Sequence, residues 1–146
     1  MLGRTYPREV CSISRALEVV GERWTLLILR DAATGVTRYE DFRTSLGVAT
    51  NILSARLSLL CEEGLMEHAG GGGEYHLTEK GKAIGPALVA LMKWGDRFYP
   101  TEHGAPRLTL HRDCGGEVEQ LHRCEECGAD VDFDGIEAPL IAAFAH

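Results

Sequence analysis

The chain has no apolar run approaching the roughly 20 residues that a membrane-spanning helix needs. Residues Met1 to Arg8 also lack the apolar stretch of a secretory signal, so a cytoplasmic protein without membrane attachment is expected. Catalytic signatures are missing as well. The six histidines are scattered, and the glycine run at 70–73 lacks the lysine of a phosphate-cradling loop. No nucleophile stands in a recognisable pairing with a base, so an enzyme is not expected. Positive charge is short too: 15 Lys and Arg against 22 Asp and Glu leave a net charge of −7. A surface uniformly attractive to a polyanion is thereby excluded.

What is present is unevenly spread. Residues 1–60 hold 8 Arg and no Lys against 6 acids, residues 61–100 hold 4 bases against 6, and residues 101–146 hold 3 against 10. A weakly basic front half joined to an acidic end fits a nucleic-acid-binding module with a separate acidic piece facing away from the duplex. With 45% hydrophobic and 25% charged residues the usage is globular, and 146 residues allow one ordinary domain plus an appendage. The expected division is residues 8–100 and residues 101–146.

Periodicity fills in the first part. Ile13, Ala16, Leu17 and Val20 recur at three and four and mark a helix from Ser12 closed by Gly21. Trp24 to Arg30 is nearly all apolar and reads as the buried centre. Thr34 to Thr37 reads as a loop or short strand. Arg38 to Ser45 forms a short helix burying Tyr39, Phe42 and Leu46, with Gly47 as a left-handed cap. Thr50 offers an N-cap oxygen for a helix to Glu63 that turns Leu53, Leu57 and Leu60 to one side. Strands at Leu65 to His68 and Glu74 to Leu77 flank the glycine run. A helix from about Glu79 to Tyr99, capped by Thr78, follows, and Pro86 either kinks it or moves its true start to Gly85. Residues 101–110 read as a linker or strand, and Ala138 to His146 as a short or frayed helix.

Two short helices around a tight glycine turn, followed at once by a two-stranded hairpin, define a mainly α fold with a small β-wing, the winged helix-turn-helix. A helix entering a major groove needs an outer face small enough for close approach and polar enough to meet base edges. Asn51, Ser54, Ala55 and Ser58, with Thr50 at the helix start, supply one. Arg38, Arg43 and Arg56 flank it and can reach phosphate or brace the motif. The Gly70–Gly73 tip carries no base. The bland alternative, short helices that happen to flank a glycine, remains on pattern alone.

The ordered motifs carry a resemblance. Cys11-Ser-Ile-Ser-Arg-Ala-Leu-Glu-Val-Val-Gly-Glu-Arg-Trp-Thr-Leu-Leu-Ile-Leu-Arg-Asp, Arg38-Tyr-Glu-Asp-Phe, Thr50-Asn-Ile-Leu-Ser-Ala-Arg-Leu, Glu63-Gly-Leu and Tyr75-His-Leu-Thr-Glu-Lys-Gly closely resemble the HxlR family of bacterial regulators, relatives of the MarR regulators. The likeness covers about residues 10–100. It implies a transcriptional regulator that binds an operator in double-stranded DNA as a homodimer, with the first and last helices of the module packed across a two-fold axis. Leu88, Leu91, Trp94 and Phe98 are the candidate dimer contacts, their apolar stripe independently asking for burial. An internal core helix accounts for part of that stripe. The resemblance also puts Cys11 where many members carry a thiol that senses oxidants or electrophiles. A helix start and Arg15 would favour its thiolate, while a merely structural thiol is the alternative. A small ligand is a second possible effector.

Beyond the resembled region, His111-x-x-Cys114 and Cys124-x-x-Cys127 form two paired spacings, each second ligand followed by glycine. Zinc takes four such donors in a tetrahedron, and a segment too short for its own core would gain its fold from the metal. Structural zinc on His111, Cys114, Cys124 and Cys127 in a small zinc-ribbon-like β unit is the expectation, with His122 as substitute nitrogen. A Cys124 to Cys127 redox pair and unmetallated thiols are the alternatives. Cys61 reads as a packing residue. A competing reading of the whole chain is a protein-binding adaptor without specific DNA binding.

Overall fold

Leucines at three- and four-residue spacing, interrupted by glycine or by extended residues, divide this chain into short helices. The computed structural model describes residues 11–69 and 73–139. The order is α1 (Ser12–Val20), α2 (Arg23–Ala33), α3 (Tyr39–Leu46), α4 (Thr50–Glu62), β1 (Met66–Ala69), β2 (Glu74–Leu77), α5 (Glu79–Lys82), α6 (Gly85–Phe98), β3 (His122–Arg123) and β4 (Asp130–Val131). The chain separates into two compact units, the first ending at Leu88 and the second beginning at Val89.

The first unit is built on α2. Its Ile28 and Leu29 are wholly buried together with Phe42, Leu53, Leu57, Leu60 and Met66. Glu22 starts α2 by accepting the Trp24 amide at 2.9 Å, and the helix runs past the expected Arg30 to Ala33, where the Thr34 hydroxyl donates to the Asp31 carbonyl at 2.9 Å. α3 buries Phe42 and ends at Gly47, whose φ of 59° is the expected left-handed cap. The N-cap of α4 is Ala49, not Thr50: the Ala49 carbonyl already accepts the Leu53 amide at 3.0 Å. Burial of Val48 fixes the chain's entry into this helix, so Thr50 becomes its first residue.

β1 and β2 pair antiparallel from Met66 opposite Leu77 to Ala69 opposite Glu74, and residues 70–72 lie outside the described residues. The segment before α3 joins them as a third, one-residue edge. Arg38 bridges Glu74, and the Tyr75 amide donates to the Thr37 carbonyl at 2.8 Å. Of the two readings of residues 79–99, the one that starts the last helix at Gly85 holds. Thr78 caps α5, and α6 starts at Gly85 with Pro86 in its second position, where a missing N–H costs no helical bond.

The second unit begins at Val89, within α6, and Ile84 and Leu88 are the last residues of that stretch packed on the core of the first. It continues into two short hairpins. In one, Leu110 pairs with Glu117 and the Val118 amide donates to the Thr109 carbonyl at 2.8 Å. In the other, β3 pairs with β4, and Arg123 meets Asp130 at 2.9 Å. A single 3₁₀ turn, Phe133–Gly135, follows. Of the expected terminal helix, residues 138–139 have no regular structure and the rest lies outside the described residues.

Candidate nucleic-acid interface

α4 is two-sided. Leu53, Leu57 and Leu60 lie at 0% exposure, whereas Thr50, Asn51, Ser54, Ala55 and Ser58 are exposed along the opposite face. Helical periodicity requires that division once the leucines are buried. The outer face is the one expected from sequence, and nothing on it is larger than asparagine.

One detail of this face comes from Tyr39, which the sequence suggested only as a core residue. Its hydroxyl lies 3.0 Å from the Thr50 carbonyl and 3.0 Å from Ser54 Oγ. Tyr39 has one proton, and the carbonyl can only accept, so both contacts coexist only when Tyr39 donates to Thr50 and Ser54 donates to Tyr39. Ser54 then offers outward only its lone pairs. A half-buried tyrosine at a helix start was the available signal, because its hydroxyl needs a partner.

The three arginines differ. Arg38 caps α3 with its side chain 72% exposed, its Nε 3.3 Å from Glu74 Oε1 on the wing. Arg43 is 50% exposed and 3.4 Å from Glu40 one turn back. Arg56 is only 23% exposed, with Nε buried 3.7 Å from Glu22 Oε2. Of the two roles weighed for Arg56, the bracing one fits this placement, since it ties the reader helix to the cap of α2. Glu22 carried no sequence signal for that role, because caps favour Ser, Thr, Asp and Asn.

On the back of α4, Cys61 packs against the core; burial, and then the neighbouring Glu62 charge, push its thiol above the ordinary range. Cys11 is the half-buried N-cap of α1, and its carbonyl accepts the Ser14 hydroxyl at 2.7 Å. α1 leaves Ile13 69% and Leu17 42% exposed. Of the candidate dimer contacts, Leu88 packs on the core of its own chain. Leu91, Trp94 and Phe98 are exposed, Trp94 lying 5.7 Å from Phe98 and 5.3 Å from Tyr99 between ring centres.

The candidate metal ligands are brought together two by two. His111 Nδ1 lies 3.2 Å from Cys114 Sγ, and Cys124 is hydrogen-bonded to Cys127. Among the described residues no three such donors gather, so the expected four-donor tetrahedron is not assembled.

Two helices at a glycine turn, the second with a small polar outer face, set against a two-stranded wing, define a winged helix-turn-helix of the transcription-factor class. Residues 19–103 match the HxlR-like helix-turn-helix family, and the chain belongs to that family. An uncharacterized HTH-type transcriptional regulator of Mycobacterium tuberculosis, Rv3095, is 42% identical over 125 residues, covering 82% of this chain and 79% of its own. The crystal structure of PA1607, a putative transcription factor, superposes with a TM-score of 0.79 at 36% identity, covering 90% of this chain and 96% of that one. Quinone-bound YodB from B. subtilis superposes at 0.55 with 26% identity, covering 61% of this chain and 100% of that one. The chain is a transcriptional regulator, not an enzyme. Among the described residues no helix is long and apolar enough to cross a membrane.

Proposed function

We propose that two copies of this chain bind an operator in double-stranded DNA, each laying α4 in a major groove with Asn51, Ser54, Ala55 and Ser58 toward base edges. The observation that carries the reading is the combination of a fully buried leucine face and a small, hydrogen-bonding outer face on one helix. Arg38 and Arg43 supply phosphate contacts. The exposed Leu91, Trp94 and Phe98 on α6, and the exposed Ile13 and Leu17 on α1, are the surfaces that a second copy covers.

Binding to the duplex upstream of its own gene is the direct test. Asn51→Ala lowers preference for the operator over random duplex by about 1 to 3 kcal/mol, whereas Arg38→Ala weakens both alike and flattens the salt dependence. Affinity for no duplex, at low or high salt, would leave the protein-binding adaptor standing in its place.

Release is assigned to Cys11. It sits at the start of a helix whose apolar residues are exposed, so a modified thiol presses on a dimer surface. That a related fold has been crystallised with quinone bound supports an electrophile as the signal. Diamide or a quinone releases DNA from the wild type and not from Cys11→Ser. Equal behaviour of both proteins transfers the role to a small ligand.

A further inference from the structure

The second unit has a stability problem. None of its described residues is buried, and Leu108, Leu110, Val118, Leu121, Phe133 and Ile136 are 39% to 86% exposed. A segment this short without a core needs a staple.

Its two hairpins are built alike around their cysteines. The His111 amide donates to the Gly116 carbonyl at 2.8 Å, and the Gly115 amide donates to the His111 carbonyl at 2.8 Å. In the second hairpin, the Cys124 amide donates to Ala129 and the Gly128 amide to Cys124, each at 2.9 Å. The flanking pairs correspond as well, Leu110 with Glu117 and Arg123 with Asp130. The glycine after each second cysteine is left-handed, Gly115 at φ 71° and Gly128 at φ 72°, where a side chain would strain the backbone. Two segments unrelated in sequence outside these positions thus share one turn, and in each the first and fourth residues are metal-ligating types.

The donors are also prepared as ligands. The amides of Cys127 and Glu126 and the Cys127 thiol hydrogen-bond Cys124. The Gly116 amide reaches Cys114 Sγ at 3.5 Å. His111 turns Nδ1 to Cys114, while its Nε2 stands 3.7 Å from Asp113 Oδ2, a carboxylate able to orient the ring.

We propose that one zinc ion per chain bridges the two knuckles through His111 Nδ1, Cys114, Cys124 and Cys127, and that this bond supplies the second unit with the cross-link its side chains do not. Borderline-soft Zn²⁺ is the cation that three thiolates and an imidazole select, and four protein donors leave no open position for catalysis. Among the described residues the donors gather only in pairs, so closing the tetrahedron falls to the ion, and the stability of this unit follows metal binding.

Full-length protein prepared under reducing conditions without chelator is the material for the test. Elemental analysis finds one zinc per chain, and Co²⁺ exchanged into the site gives the thiolate charge-transfer and visible bands of a tetrahedral complex. Cys114→Ser in one knuckle and Cys127→Ser in the other each lower Zn²⁺ affinity by more than about 100-fold, beyond the cost of losing an outer partner. His122→Gln leaves it unchanged. Retained duplex binding and far-UV circular dichroism verify that these variants keep the first unit. Absence of metal, an octahedral cobalt spectrum, indifference to either knuckle, or a Cys124 to Cys127 disulfide in the reduced preparation overturns the assignment.

Discussion

The proton that Ser54 spends on Tyr39 decides what it can read. With only lone pairs facing the groove, Ser54 accepts from an amino group, adenine N6 or cytosine N4, and has nothing to give guanine O6 or thymine O4. Operators selected from a random pool should carry A or C at its base, and Tyr39→Phe should relax that choice with little loss of affinity elsewhere. A guanine or thymine selected there by the wild type would refute this arrangement of protons. Cys61 illustrates the opposite case of a thiol kept out of chemistry. Burial and the Glu62 charge raise its pKa, so its thiolate fraction at neutral pH is below that of a free thiol and grows only as pH climbs through the raised value. Iodoacetamide should label it more slowly than a free thiol at pH 7.5 and catch up in urea; mass spectrometry of the peptide reports both rates. The cysteine's position among leucines made its packing role legible in the sequence, whereas the Tyr39 to Ser54 bond was not. It joins residues in different helices, and no periodicity encodes which hydroxyl yields its proton.

At the scale of elements, the helices were readable because their leucine spacing and glycine stops agree with the tertiary packing. α1 and β2 fall on the expected residues, and α3 ends at the expected glycine. The differences lie where packing overrides local preference. Val48 burial shifts the start of α4, and Gly81 inside α5 lies in a close approach that a one-dimensional pattern does not reveal. A Cβ on Gly81 would stand 2.0 Å from the Leu65 carbonyl oxygen, which is backbone and cannot move aside as a side chain could. Gly81→Ala should therefore cost stability toward the upper end of about 1 to 3 kcal/mol in urea unfolding. A loss within 0.5 kcal/mol, taking about that value as the noise of a surface substitution, would mean that the α5 turn yields. The knuckle turns were legible as spacings, but the correspondence of their hydrogen bonds was not, because backbone carbonyls leave no trace in residue identity.

For the whole molecule, the composition misled in total and informed in distribution: the −7 charge belongs to residues 101–146, while the reader lies in the stretch that carries arginine. Assembly then becomes the variable. Leu88 serves its own core, so the decisive substitutions for a second copy are Leu91→Glu and Trp94→Glu. Sedimentation should turn dimer into monomer with the thermal transition of the first unit kept, and a wild-type monomer at micromolar concentration would remove the two-fold reading. The strand edge at Thr37 and Arg38, hydrogen-bonded to the wing, welds helix-turn-helix and hairpin into one stiff reading head. With two such heads on one operator, as proposed, the half-sites must keep their phase on the duplex. Inserting about five base pairs between the half-sites turns one of them to the opposite side of the duplex, and affinity then falls to that of a single half-site.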